Sequence, residues 1–245
     1  MRGRPLRSRM EMTMTPTPND LDALRQFDTP TICNALEVTN PERRAMGFTI
    51  EHLQVLDPSL KPIVGYARTA MYRSFTASAE DPAKVKARRA AYYEYVAADP
   101  GPTVSIIQDL DPNPGFGAFW GEVNTAIHKG LGCLGCVTNG SFRDLPDCAP
   151  GFQILGGKVG PSHANGHIVD FGSEVNIVGM AVNHGDIIHA DCHGAVVVPL
   201  DAVKKIPAAV DLLVRREAVI LEVARADGFN IDKLKKAMAD SAEIH

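Results

Sequence analysis

The sequence predicts a mixed α/β fold: a mixed central sheet with helices flanking it at the N- and C-terminal ends. Three observations predict it. Residues 103–138 run strand, loop, helix, strand, the order of a βαβ unit that crosses over right-handed. Residues 152–198 hold short β-branched runs punctuated by Gly156-Gly157, Gly172, Gly179, Gly185 and Gly194. Helix-start signals lie on both sides, at Thr29-Pro30 before and at Pro199-Leu200-Asp201 after.

Bulk composition sets the limits. With 245 residues, 45% hydrophobic and 22% charged, the chain suits one compact domain over residues 19–245, long enough to bury a sizeable core. A net charge of −4 argues against a nucleic-acid surface that works by bulk electrostatics. No apolar run approaches the length of a membrane span. Five cysteines without regular spacing are not a disulfide scaffold and fit a reducing cytosol, so a cytoplasmic location is expected.

Residues 1–18 carry no apolar periodicity and begin basic, with Arg2, Arg4, Arg7 and Arg9. They read as a disordered tail, or as the product of a start codon placed upstream of Met10, Met12 or Met14. Asn19 or Asp20 can cap a short helix through Phe27, and Pro30 opens another to about Val38. Residues 63–72 are a strand by their β-branched and aromatic content. Asp81-Pro82 starts a helix to about Ala98 whose Lys84, Lys86, Arg88 and Arg89 read as a solvated basic face. Residues 103–108 are a buried strand, followed by a Pro/Gly loop at 109–115.

Phe116, Phe119, Trp120, Val123 and Ile127 recur at helical spacing, which predicts the core face of a helix ending near Lys129-Gly130. Residues 133–138 are an apolar strand broken by Asn139-Gly140. Five short strands follow, at 152–155, 167–171, 175–178, 187–190 and 195–198. A long helix is expected from Pro199 to about Ala226, and a last one from Asn230 to about Ala239.

Several motifs point elsewhere and fail. Gly156-Gly157-Lys158-Val159 lacks the first glycine and the closing Ser or Thr of a phosphate loop. No Gly-x-Gly-x-x-Gly follows a strand to open a helix, so a methyl-donor or dinucleotide site has no support. Cys133-Leu-Gly-Cys136 has no second pair and enters a strand, which favours small buried residues over zinc or redox chemistry. His189, Asp191 and His193 would share one strand face and could hold a metal, but Asp191-Cys-His-Gly194 reads as a hairpin turn.

The chemically informative stretch is Val137-Thr-Asn-Gly-Ser-Phe-Arg-Asp144, with Arg143 and Asp144 fixed together just past a strand end. Strand-end turns are where α/β proteins place chemistry; a surface ion pair capping the next helix is the alternative. Glu122 is either an acid favoured at a helix start or a partner of that pair. His163 and His167 either line a pocket with Asn165 or bond to backbone.

These residues, with Trp120-Gly-Glu-Val123, Gly130, Gly135, Asp28-Thr-Pro-Thr-Ile-Cys-Asn-Ala-Leu36, Gly185-Asp-Ile-Ile-His-Ala-Asp191 and Gly194-Ala-Val-Val-Val-Pro199, resemble the signature of the RraA-like family. That family includes the regulator of ribonuclease E activity A. It also includes class II 4-hydroxy-4-methyl-2-oxoglutarate/4-carboxy-4-hydroxy-2-oxoadipate aldolases, which also decarboxylate oxaloacetate. The resemblance implies a swivelling β/β/α domain and a homotrimer, or a hexamer made of two trimers, with sites between subunits and residues 200–245 at the interface. In the aldolase branch twenty residues separate an acid from an Arg-Asp pair. Glu122 and Arg143-Asp144 match that spacing, with Glu where Asp is usual. A further carboxylate comes from a neighbouring subunit's C-terminal helix, for which Glu217 is the candidate here.

The implied chemistry is physically coherent. Cleaving a C–C bond beside a pyruvyl unit leaves an enolate. Asp144 with waters suits Mg²⁺ or Mn²⁺, which would act as a Lewis acid. Arg143 would grip the substrate carboxylate by two parallel bonds, helped by the amides of Val123 and Asn124 at a helix start. Glu122 and Glu217 would position a water for proton transfer. The expected activity is a metal-dependent lyase on small oxo-acids; the alternative is a non-enzymatic protein that binds and inhibits a ribonuclease.

Overall fold

The computed structural model describes residues 15–245. The tail expected over residues 1–18 therefore falls mostly outside the described residues. Pro16 is buried, and its carbonyl accepts the Tyr66 hydroxyl.

Helix α1 (Pro18–Leu24) is capped by Thr17 rather than by Asn19 or Asp20, and it ends before Phe27. The Thr17 Oγ1 accepts the Asp20 amide at 3.2 Å while the Asp20 carboxylate accepts the Thr17 amide at 2.7 Å, a reciprocal capping box with Pro18 at the first turn. Asp28 caps α2 (Thr29–Thr39). The central strand is β2 (Ile63–Arg73), buried along almost its whole length, as suits a strand covered on both faces. Parallel neighbours continue to one side: β3 (Thr103–Asp109), β5 (Cys133–Thr138) and β7 (Gln153–Gly156), with the short β1 (Gln54–Val55) antiparallel at the edge. On its other side β2 holds two antiparallel partners in succession. The hairpin β12 (Ile187–Asp191)–β13 (Gly194–Val198) pairs with its first half and β9 (His167–Phe171) with its end. The result is one eight-stranded mixed sheet.

Helix α3 (Pro82–Ala97) crosses between β2 and β3. The fully buried Arg68 holds its end by donating to the carbonyls of Tyr95, Ala98 and Pro100. Beyond the carboxyl ends of the parallel strands lies a small three-stranded parallel sheet: β4 (Ala118–Trp120), β6 (Ser141–Phe142) and β8 (Lys158–Val159). Helix α4 (Glu122–Gly130) follows β4 directly. This corrects the expected single helix from Phe116. Ala118 to Trp120 are a strand, and Phe116 and Val123 are half exposed or more rather than core. The helical spacing of these apolar residues is accidental; what decides the strand is its pairing with residues 141–142.

A separate hairpin, β10 (Val175–Ile177)–β11 (Met180–Val182), packs on the sheet. The C-terminal helices are α5 (Ile206–Arg225) and α6 (Ile231–Ala242). The long helix starts seven residues later than Pro199 predicts, after a turn at 200–205. Pro207 is the reason: a helix running through it would set the ring against the Val203 carbonyl, so Pro207 sits in the first turn instead. Helices α1, α2 and α5 cover one end of the sheet through Leu24, Ile32, Val196, Ile206 and their neighbours. On the other face Tyr92, Trp120, Phe142 and Phe152 form an aromatic core. Among the described residues, no helix is long and apolar enough to cross a membrane.

That aromatic core contains a fully buried histidine. His128 Nδ1 lies 2.7 Å from the Asn124 carbonyl, which can only accept, so the Nδ1–H donates. Nε2 then accepts from the Tyr92 hydroxyl at 2.9 Å, and the Ser105 hydroxyl, 2.8 Å from the Tyr92 oxygen, donates to it. Burial pushes the His128 pKa down to about 4. The unfolded chain, with a histidine near its ordinary value of about 6.5, therefore binds a proton that the folded chain refuses. Stability contributed by neutral His128 is present above that value and is lost as pH falls towards 4. Between pH 7 and pH 5 the loss is about 2 kcal/mol. Urea unfolding of the wild type and of His128→Gln at both pH values tests this: the gap between them should shrink by about that amount at pH 5. His189, also buried with its pKa lowered, contributes to both proteins and cancels in the difference.

Candidate active site

The parallel pairing of β4 with β6 builds the site. Trp120 lies beside Phe142, and the Arg143 amide donates to the Trp120 carbonyl at 3.0 Å. The next residues of each strand, Gly121-Glu122 and Arg143-Asp144, are thereby forced together although they are twenty-two positions apart in the chain. Asp144 Oδ2 accepts the Glu122 amide at 3.3 Å and lies 3.5 Å from Arg143 Nε. A carboxylate is favoured there, because it faces the positive end of α4, whose first turn leaves amides without intrahelical acceptors.

Two backbone features hold this geometry. Asp144 sits in the left-handed region, at φ 53, where Asp and Asn are tolerated better than most residues. Its carbonyl accepts the amides of Asp147 and Cys148, which locks the turn. Gly121 has an extended backbone, so its lack of a side chain is a matter of space: a Cβ there would lie 2.5 Å from Asp144 Oδ2 and 3.2 Å from Arg143 Cγ. Gly121→Ala should fold normally but turn the Asp144 carboxylate away. A drop of about 100-fold in whatever turnover the site performs, at an unchanged melting temperature, is the expected result.

Arg143 and Asp144 open onto a cavity of about 490 Å³. One wall is the start of α4, with Gly121, Val123 and Asn124; another is the loop at 163–168, with His163, Asn165, Gly166 and His167. Tyr72, from the end of β2, and Arg89, from α3, complete it with Phe119. The loop at 163–168 is drawn in by the pairing of β9 with β2 and by the Asn165 amide, which donates to the Ser74 carbonyl. On the β4 side, Asp111 accepts the Ser74 amide, the Ser74 hydroxyl and the Phe75 amide, and Ser74 Oγ accepts the Gly117 amide. Burial alone would push the Asp111 carboxyl up, but these bonds outweigh it and hold the carboxyl below its ordinary range.

The structure gathers Val123, Asn124, Arg143, Asp144, His163 and His167 around one cavity. Both readings of the two histidines apply at once. They line the cavity, and their Nδ1 atoms bond to backbone, at the Ala164 and Asn165 carbonyls, 2.8 and 2.9 Å away. Each Nε2 has no hydrogen-bond partner among the described residues. Glu122 meets the site through its amide, while its side chain is exposed. Glu217 is exposed on α5 and does not line the cavity of its own chain.

Sequence reasoning missed Tyr72, Phe119 and Arg89. Arg89 was visible only as one cation of a basic helix face. Burial pushes the Tyr72 phenol well up, and Asp109 and Asp111 add to this, while Arg89 and Arg143 pull it back. Tyr72 is thus a hydrogen-bond donor at any physiological pH.

At the other metal candidate, His189 and Asp191 are committed to structural bonds, while the ligand atoms of Asp191, Cys192 and His193 lie within 4.8 Å of one another. His189 is fully buried, with Nδ1 3.0 Å from the Thr29 hydroxyl and Nε2 facing the Leu24 and Phe27 carbonyls. Asp191 accepts the amides of Thr29 and His193, so Asp191 and His189 pin the start of α2 to the hairpin. Cys133 and Cys136 are buried in β5, where burial pushes the Cys133 thiol up to about 11.

The sequence profile described as RraA-like, Aldolase/RraA, matches residues 29–197. Among solved structures, the fold is similar to that of an uncharacterized protein from Pseudomonas syringae pv. tomato, with 19% identity, TM-score 0.68, and coverage of 92% of this chain and 95% of that one. It is also similar to RraAS2 of Streptomyces coelicolor, described as an unusual member of the RNase ES inhibitor RraA protein family. There the identity is 23% and the TM-score 0.61, covering 86% of this chain and 98% of that one. The RNA-processing inhibitor RraA from Thermus thermophilis matches at 16% identity and TM-score 0.50, over 67% and 90% of the two chains. No curated protein matches the sequence. The profile match spans well over half of the chain, the mixed α/β fold agrees with it, and the protein belongs to the RraA-like family.

Proposed function

We propose that the cavity is the active site of a divalent-metal-dependent lyase that cleaves small oxo-acids. The reaction would be retro-aldol cleavage of a 4-hydroxy-2-oxo acid to release pyruvate, decarboxylation of oxaloacetate, or both. The observation that carries this reading is the convergence of Arg143, Asp144 and the open start of α4 on one cavity wall. An ion pair whose partners are each about one-third exposed contributes little stability, so its placement in a cleft is better explained by chemistry.

The donor set fits a small hard cation. Asp144 Oδ2 is engaged by the Glu122 amide, whereas Oδ1 has no hydrogen-bond partner among the described residues, in a cavity with room for waters. One carboxylate oxygen plus water suits Mg²⁺ or Mn²⁺. When bound, such a cation would supply positive charge beside the enolate oxygen that develops as the C–C bond breaks.

The remaining work falls to the chain. Arg143 grips the carboxylate of the pyruvyl end, assisted by the Val123 and Asn124 amides of the helix start. His163 and His167 offer Nε2 atoms to hydroxyl groups of the substrate. Glu122, together with Glu217 contributed by a neighbouring subunit of a homotrimer or hexamer, holds the water that takes and returns a proton. Among the described residues no lysine lines the cavity, which leaves a Schiff-base route without a nucleophile.

A second reading draws on the description of the Streptomyces neighbour: a protein that binds and inhibits a ribonuclease. An open carboxylate and guanidinium in a cleft favour the enzyme, because a pure inhibitor needs neither. Pyruvate release from oxaloacetate and from 4-hydroxy-4-methyl-2-oxoglutarate, with Mg²⁺ and with EDTA, tests the choice. Release that needs the metal supports the lyase. No release from either acid, together with capture of ribonuclease E in a pull-down, would support the inhibitor instead.

A further inference from the structure

We propose that Arg89 is a specificity-determining residue of this site: it binds a second, distal carboxylate of the substrate and so selects dicarboxylic oxo-acids over monocarboxylic ones. The inference rests on the lyase reading above and goes beyond it, because cleavage at a pyruvyl unit needs one carboxylate gripped, and Arg143 with the start of α4 already provides that grip.

Arg88 and Arg89 stand side by side on α3 with opposite fates. Arg88 is neutralised by Glu80, its Nη2 lying 2.9 and 2.6 Å from the two carboxylate oxygens. Arg89 has no carboxylate within ion-pair distance among the described residues, and it lines the cavity. Its direction is set rather than free. Nε donates to the Tyr93 hydroxyl at 3.0 Å, and that hydroxyl donates to Asn124 Oδ1 at 2.9 Å. Asn124 in turn donates through Nδ2 to the Phe119 carbonyl. The Arg89 guanidinium also lies over the Tyr93 ring, 5.8 Å from its centroid. A chain of hydrogen bonds thus ties the guanidinium to the same helix start that faces Asp144, and leaves both Nη groups without a hydrogen-bond partner among the described residues.

The two guanidiniums share a neighbour. Tyr72 lines the cavity together with Arg89 and Arg143, and its phenol feels both charges. Two guanidiniums in one cavity, Arg89 without a carboxylate partner among the described residues and Arg143 paired only with the one-third-exposed Asp144, match an anion at each end of a short ligand. The cavity, at about 490 Å³, is also roomier than a pyruvyl fragment requires.

The test compares kcat and KM for 4-hydroxy-4-methyl-2-oxoglutarate, which has two carboxylates, with those for 4-hydroxy-2-oxopentanoate, which has one. In Arg89→Leu the preference for the two-carboxylate acid should fall by about 30-fold, carried by KM rather than kcat. Arg89→Lys should recover part of it, since a point charge replaces the fork. Lys86→Leu removes a charge from the same helix away from the cavity and should leave the preference unchanged. An Arg89→Leu that keeps the wild-type preference, or that lowers kcat equally for both acids, overturns the assignment. If the wild type turns over neither acid, the lyase reading fails, and Arg89 is then judged by calorimetry with 2-oxoglutarate and 2-oxobutyrate. Tighter binding of the two-carboxylate acid that disappears in Arg89→Leu supports the assignment; equal binding of both by the wild type overturns it.

Discussion

Asp144→Asn is expected to abolish metal-dependent turnover, by at least about 1,000-fold, in a protein that keeps its fold and melting temperature. The substitution is nearly isosteric, and Asn is one of the few residues that tolerates the left-handed backbone at this position. Its amide oxygen can still accept the Glu122 amide, so the contact between the turn and the start of α4 survives. What disappears is the negative charge, and with it the only carboxylate that lines the cavity among the described residues. The check is the rate at saturating Mg²⁺, with circular dichroism and thermal melting alongside. A variant that retains wild-type turnover would remove Asp144 from the mechanism. A variant that melts well below the wild type would show that the residue is needed mainly for the turn.

Arg143 should divide by geometry rather than by charge. Arg143→Lys keeps the cation but loses the planar fork, and a loss of about 100-fold in kcat/KM is expected; Arg143→Ala should lose about 1,000-fold or more. The stability cost should be small for both, because the pair with Asp144 is about one-third exposed on each side. Steady-state kinetics of the two variants, measured beside urea unfolding, checks this. Equal activity of Arg143→Lys and wild type would show that the site needs only a positive field.

Where the chain's own chemistry is local, the sequence was legible. The parallel core of β3 and β5 is written in apolar β-branched runs, and the glycine-punctuated strands after residue 152 emerge near their expected places. Arg143-Asp144 could be picked out because a strand end and a turn signal coincide there. The misreadings arise where distant pairing decides. Residues 118–120 look helical until residues 141–142 arrive to pair with them, and that pairing also starts α4 at Glu122 and leaves Val123 at the cavity rim instead of in the core. Arg89 resembled its solvated neighbours on α3; only the docking of that helix against β9 distinguishes it from Arg88. Glu217 illustrates the reverse, a residue proposed by resemblance that stands exposed on α5 and does not line the cavity of its own chain.

The most direct measurement is the exchange of pyruvate methyl protons with solvent deuterium, followed by NMR. It reads enolate formation alone and needs no knowledge of the natural aldol substrate. The expected result is exchange that requires Mg²⁺ or Mn²⁺, stops with EDTA, and is lost in both Asp144→Asn and Arg143→Ala. Exchange no faster than in buffer with metal alone, or exchange that persists in Asp144→Asn, would contradict it.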